Sequence, residues 1–279
     1  MGATQNSQGV WALAWKRLKA DRVGMFCLAI VTAFSLLVLL AALDVVGKNW
    51  QKEIGVPNAP PHLVGAKPAE AIGVIAVPKG PNVDISDIDP LAPRYKEWEE
   101  AAKKYKTEEQ PRAETLIFGG DRLGRDILQK VIKGAEVSII VGLLAALVAT
   151  TIGTLLGAIS GFFGGKIGDL LEWVYNVFTA IPSILLIFAF AVIFGRGIMS
   201  VVMILGLTGW TGVYRLVRAE FMKHRQREYV RSAEAIGASQ SSRIFKHILP
   251  NVSHVSLVQL SLLVVGFIKS EVILSYLGL

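Results

Sequence analysis

From residue 23 to residue 43 the chain runs 21 residues without a charged side chain, and between Glu136 and Lys166 it does so again. Runs of this length decide the solvent. A helix of about 20 apolar residues crosses about 30 Å of hydrocarbon, where only helices or closed barrels satisfy their own backbone groups. Residues 173–195, residues 197–214 and a stretch from near Asn251 to the C-terminus supply three more apolar runs. The expected fold class is an all-α membrane protein, a multi-span helical bundle with five spans. A hydrophobic content of 52% agrees, since soluble domains stay near about 45–50%. The net charge of +7 would suggest nucleic acid in a soluble chain. Here basic loops facing anionic headgroups account for it, and no nucleic-acid partner is expected. The single cysteine, Cys27, lies in the first apolar run and excludes an internal disulfide.

Residues 1–22 are polar and basic, and Trp11, Trp15, Lys16, Arg17, Lys19 and Arg22 suit a segment lying at the membrane interface. The 23–43 run exceeds the roughly 7–15 residues of a signal-peptide core. It reads as a retained first transmembrane helix with a cytoplasmic N-terminus, a cleaved signal being the other reading. Residues 44–115 change character: nine of the eleven prolines lie there among mixed charges, and such backbone cannot be satisfied in lipid. This insertion is placed on the external side. A solvent-exposed helix is expected in RYKEWEEAAKKYKTEEQ from the spacings Glu99 to Lys103 and Glu100 to Lys104.

Residues 116–279 form the remaining core. Pro182 interrupts the 173–195 run and predicts a kink, which in a transporter often borders the pathway. Gly153, Gly157 and Gly161 recur every four residues, a face that lets another helix approach closely, within the chain or across a subunit boundary. Lys269 and Glu271 fall in the last apolar run, where charges must pair, snorkel or face water; an interfacial anchor and a cavity-lining site both fit.

The cytoplasmic loop 218–250 is the most informative polar stretch. Across residues 215–250 eight Lys or Arg stand against Glu220, Glu228 and Glu234, so the positive-inside rule puts it in the cytoplasm. Counting spans from a cytoplasmic N-terminus gives the same side. EYVRSAEAIGASQSSRIFKHILPN reads as two short helices, residues 228–236 stopped at Gly237, then a run capped by Ser239 or Ser241 and ending at Pro250. GFFGGKIGD suggests a phosphate loop only superficially: Ser160 stands where the first Gly belongs and Ile167 follows Lys166, so no ATP site is encoded. His62, His224, His247 and His254 are scattered, and no metal site is expected.

Three stretches resemble ABC-importer permease subunits of the oligopeptide, dipeptide and nickel transporter family. In the loop, Ala233, Gly237, Leu249 and Pro250 fall at the spacings of the Glu-Ala-Ala coupling motif, while Arg231 and Ser232 replace its first two residues and His247 its Ile. Ahead of the second span, Gly119, Asp121, Gly124, Arg125 and Asp126 match Gly-Thr-Asp-x-x-Gly-Arg-Asp, with Gly120 in place of Thr; Arg125 and Asp126 could pair locally. At the C-terminus, EVILSYLGL matches Glu-Ala-x-Leu-Ser-Phe-Leu-Gly-Leu at Glu271, Leu274, Ser275, Leu277 and Gly278.

The resemblance implies a bacterial inner-membrane permease with no enzymatic activity and no cofactor of its own. It further implies ATP and Mg on two ATP-binding partner subunits, a second homologous permease, an external substrate-binding protein, surrounding lipid, and a sixth helix beyond this chain. Glu228, Tyr229, Ala233, Glu234, Gly237 and Pro250 would then contact the ATPase subunit. Two other readings remain open: a membrane scaffold or receptor docking through residues 44–115, and an intramembrane serine protease using Ser160 and His254.

Overall fold

A computed structural model of the chain describes residues 10–65, 91, 94–104 and 112–278. Among these the structure is helical with only isolated backbone bridges. The helices are α1 (Val10–Ala20), α2 (Arg22–Ala42), α3 (Tyr95–Lys104), α4 (Ile127–Phe163), α5 (Gly165–Ala180), α6 (Ser183–Phe194), α7 (Ile198–Thr208), α8 (Thr211–Arg225), α9 (Glu228–Ala235), α10 (Gln240–Ser242) and α11 (Leu249–Tyr276), with a π-helical turn at Arg243–Ile248 joining the last two. The chain divides into two compact units, Met1–Ala42 with Gly134–Leu279, and Leu43–Lys133. Composition put a boundary at residue 115. The second unit extends past that point to Lys133, and within it Gly55 N–H donates to the Gly124 carbonyl at 2.8 Å and Asn58 N–H to that of Asp121 at 2.9 Å. The expected helix at α3 forms, while the Glu99, Lys103 and Lys104 side chains lie outside the described residues, as do the first nine residues and the side chain of Trp11.

Among the described residues four helical stretches are long and apolar enough to cross a membrane, or five if α5 and α6 count together. The expected kink at Pro182 is instead a break: α5 and α6 meet at 96°, and Pro182 starts α6 from extended backbone, with no donor of its own to continue α5. The fourth span also differs. It runs from Ile198 to Arg225 through a break at Gly209, longer than the 197–214 reading, because Arg218 is absorbed by Glu172 at 3.1 Å and by Ser160 at 3.0 Å.

The glycine stripe sets the packing of the first unit. A Cβ added at Gly153, Gly157 or Gly161 would lie 2.7, 2.8 and 2.6 Å from the carbonyls of Trp210, Tyr214 and Arg218 respectively, so three glycines spaced by four meet three carbonyls spaced by four. Each glycine turns an Hα toward a carbonyl, a weak C–H···O contact that only close backbones allow. The stripe therefore packs within the chain.

Its register also fixes direction. Both helices ascend together, so α4 and α8 are parallel, whereas Ser138 meets Glu271 and Thr154 meets Ser256 (2.7 and 2.9 Å), so α11 is antiparallel to α4. The Gly197 end of α7 borders Val137, and Phe163 borders Arg225, about 39 Å away along α4 at about 1.5 Å per residue. Between Phe163 and Ile198 the chain must travel from one end of α4 to the other, so the bent pair α5–α6 makes a net crossing.

Two apolar clusters follow from this arrangement. One joins α4, α7 and α11 through Val141, Ala145, Ala149, Val202, Leu205 and Phe267; the other joins α8, α9, the π turn and α11 through Val217, Phe221, Val230, Ile244, Ile248 and Val252. Meanwhile α2 buries Val38 and Ala41 but leaves Phe26, Val31, Phe34 and Leu39 more than half exposed, a surface suited to lipid or a second subunit.

Candidate functional site

The loop between α8 and α11 lies at the Phe163 end of the bundle. Helix α9 starts at Glu228, whose carboxylate suits the positive helix N-terminus. It ends in a Schellman turn: Ala238 N–H donates to the Ala233 carbonyl and Gly237 N–H to that of Glu234, both at 2.9 Å, with Gly237 at φ +86°. Ser239 then caps the next run, its hydroxyl accepting from Ser242 N–H at 3.2 Å, which decides between the two serines.

That run does not stop at Pro250. It continues as a helical rod to Tyr276, because the π turn at Arg243–Ile248 moves the bonding to i→i+5, with Leu249 N–H on the Ile244 carbonyl, and lets the proline ring pass. Pro250 is an exposed residue inside this rod.

Two faces of α9 separate. Val230 and Ala233 are 1% and 4% exposed and anchor it to the chain's own core. Ala233 therefore faces the chain's own core and not the outward side of α9 where its expected contact with another subunit would lie. Facing outward are Glu228, Arg231, Glu234, Gly237 and Ile236, the last 86% exposed, with Tyr229 and Phe245 half exposed nearby. The Tyr229 hydroxyl lies 2.8 Å from His224 Nδ1, and burial pushes its phenol above the ordinary value, so it stays protonated. Arg243 grips Glu234 at 2.6 Å and so ties α9 to the rod. The sequence reading missed this pair because its partners lie on either side of Gly237 with no helical spacing to reveal them.

In the second unit, Asp121 organises the turn before α4. Its carboxylate accepts the N–H groups of Leu123 and Arg125 at 2.9 Å each, Arg125 Nε at 2.9 Å and Lys130 Nζ at 2.8 Å. Arg125 therefore pairs with Asp121, not with Asp126, whose carboxylate caps α4 through Leu128 N–H at 2.8 Å. Gly119 and Gly124 take φ of +90° and +78°, and at Gly124 a Cβ would overlap the Gly55 carbonyl. All five matched residues are thus consumed in building a rigid turn. The Lys130 ammonium, with backbone and guanidinium donors, holds the Asp121 carboxyl well below the usual carboxylate range. Because this folded-state value is depressed, the carboxylate's contribution is intact above about pH 4, the ordinary aspartate value, and is lost as pH falls below it. Asp121→Asn should speed amide exchange of residues 119–126 in the full chain at neutral pH, and the gap between variant and parent should narrow under acid.

Glu271 is 7% exposed and accepts the hydroxyls of Ser138 and Ser275, both at 2.7 Å, beside a cavity of about 170 Å³. It bonds α11 to α4. Lys269 is exposed, and among the described residues no ion pair joins it to Glu271. Pro182 is exposed at the α5–α6 break. Ser160 is 1% exposed and engaged by the Tyr214 hydroxyl at 2.9 Å and by Arg218, while His254 Nδ1 rests on the Asn251 carbonyl at 2.9 Å. The two are not brought together, and nothing supports a serine nucleophile.

Comparison with known proteins gives a consistent picture. Residues 153–279 match the model of the binding-protein-dependent transport system inner membrane component, and residues 9–61 that of the N-terminal TM domain of oligopeptide transport permease C. The oligopeptide transport system permease protein OppC of Bacillus subtilis is 34% identical over 189 residues, 68% of this chain and 62% of that protein. The dipeptide transport system permease protein DppC of Lactococcus lactis is 28% identical over 273 residues, 95% of this chain and 74% of that protein. OppC of Escherichia coli is 38% identical over 162 residues, 58% of this chain and 54% of that protein. The chain thus spans between about half and three quarters of the length of these relatives.

Proposed function

We propose a transport function for a chain that belongs to the family of binding-protein-dependent transport system inner membrane components: it is the permease subunit of an ABC importer that moves peptides inward. In this reading the chain pairs with a second homologous permease, two ATP-binding subunits carrying ATP and Mg, and an external substrate-binding protein. It lies in the bacterial inner membrane with its N-terminus and the loop around α9 in the cytoplasm. Residues 44–115 lie outside.

One observation carries the proposal: α9 is anchored by one face and bare on the other, with Ile236 standing 86% exposed at its end. A short helix held this way is a rigid knob for a groove. Closure of an ATP-driven dimer would push on Glu228, Tyr229, Glu234, Ile236 and Gly237. The Glu234–Arg243 pair would pass that push to the rod that ends near Glu271, where Ser138 ties it to α4. Such coupling moves packed helices as bodies rather than bending them. Transport of peptides, rather than a scaffold role, follows the relatives and this exposed helix.

Ile236→Asp places a charge where the groove needs an apolar anchor. It should cut co-purification of the ATP-binding subunits at least about tenfold, as loss of a buried interface anchor does, while the chain itself stays folded. Undiminished co-purification would remove Ile236 from the interface, and no ATP-binding subunit arriving with the unaltered chain would favour the scaffold.

A further inference from the structure

At the Phe163 end of the bundle lies a cavity of about 720 Å³, within the range of about 300–1,000 Å³ typical of small-ligand sites. It is lined by Arg218, Arg225, Arg231 and Arg243 against Asp169 and Glu234. Two of the arginines are occupied, Arg218 by Glu172 and Arg243 by Glu234. Among the described residues Arg225 and Arg231 have no carboxylate partner.

Arg225 and Arg243 stand over the same Phe162 ring, at 5.8 and 5.3 Å from its centroid, so two like charges share one weak partner. Arg243 Nε is buried and has no hydrogen-bond acceptor among the described residues. The Arg225 guanidinium caps the Phe163 carbonyl at 3.4 Å and at the same time lies near Gly164, where α5 begins without a side-chain cap. Gly164, Gly165 and Gly168 line the same cavity, so the positive end of α5 faces it too. Convergent guanidinium groups and an uncapped helix start leave this space short of one anion.

We propose that this cavity binds a phosphate group, supplied either by the headgroup of an anionic glycerophospholipid or by free phosphate. Arg225 and Arg231 supply the charge, beside the start of α5. Its placement on the cytoplasmic side rests on the transport reading, but the binding does not. The test therefore reads ligand retention and not transport, and co-purification of ATP-binding subunits is scored separately on the same preparation.

The probes are phosphatidylglycerol and phosphatidylcholine added to the purified full chain, followed by native mass spectrometry, and radiolabelled inorganic phosphate followed by equilibrium dialysis. The double variant Arg225→Gln, Arg231→Gln leaves the Glu172 and Glu234 pairs intact, and its elution profile checks folding. Retention of one phosphatidylglycerol per chain but not phosphatidylcholine, reduced about tenfold or more in the double variant, supports the site with a lipid source. Saturable phosphate binding in lipid-free detergent, lost in the same variant, supports it with free phosphate as the source. Retention of neither probe, or retention equal in parent and folded variant, overturns it.

Discussion

Gly157→Val should leave almost no monodisperse protein, and Gly157→Ala should already lower stability by about 1–3 kcal/mol, the usual range for overpacking a close contact. The reason is the nature of the obstacle. An added methyl at Gly157 would sit 2.8 Å from the Tyr214 carbonyl oxygen and 3.0 Å from Val217 Cβ, and neither can rotate out of the way as a long side chain could. Relief requires α4 and α8 to separate, which also opens the Gly153 and Gly161 contacts on either side. It would loosen the Ser160, Tyr214 and Arg218 bonds that join the same helices. Gly212→Ala, on α8 itself, meets nothing within 4 Å and should be neutral or slightly stabilising through better helix propensity. Thermal midpoints followed by tryptophan fluorescence in a fixed detergent separate the two. Equal midpoints for Gly157→Ala and Gly212→Ala would mean that the α4–α8 backbone contact does not hold the bundle.

Much of this contact was readable in advance, and some of it was not. The four-residue glycine spacing announces a close helical neighbour, because only that spacing stacks bare backbone on one face. It cannot name the neighbour, since Trp210, Tyr214 and Arg218 carry unremarkable side chains and contribute through their carbonyls. The spans were legible as uncharged runs because removing charge is the first requirement of hydrocarbon. The far end of α8 was not, because Arg218 looks like the start of a loop until Glu172 and Ser160 are seen to satisfy it. Pro250 looked like a helix end for the same kind of reason: the rule is sound for an α-helix, and a π turn one step earlier evades it. At the site, the Gly237 cap was legible from local chemistry, while the following cap was narrowed only to Ser239 or Ser241 until the Ser242 N–H bond selected Ser239. The inward turn of Ala233 and the Glu234–Arg243 pair depend on how α9 folds back on the rod, which no local pattern encodes.

Gly237 gives the most direct measure of the proposed coupling. Its φ of +86° is one that L side chains adopt at a cost of about 1–2 kcal/mol, yet an added Cβ there would meet nothing within 4 Å. The penalty is therefore purely one of backbone conformation, confined to the turn between α9 and the rod, and the buried anchors Val230 and Ala233 are untouched. Substitution should consequently spare folding and act on the angle at which α9 is presented. Asn tolerates this conformation best, Ala less, and a β-branched Val least. Reconstituted with its partner subunits, the complex should show uptake per ATP hydrolysed close to parental for Gly237→Asn and reduced about five- to thirtyfold for Gly237→Ala, the factor that about 1–2 kcal/mol implies. For Gly237→Val it should fall further, while hydrolysis itself continues. The ordering carries the argument: a simple loss of assembly would abolish hydrolysis and uptake together, whereas a misaligned turn separates them. Parental uptake per ATP in Gly237→Val would show that the turn after α9 does not set how force enters the bundle.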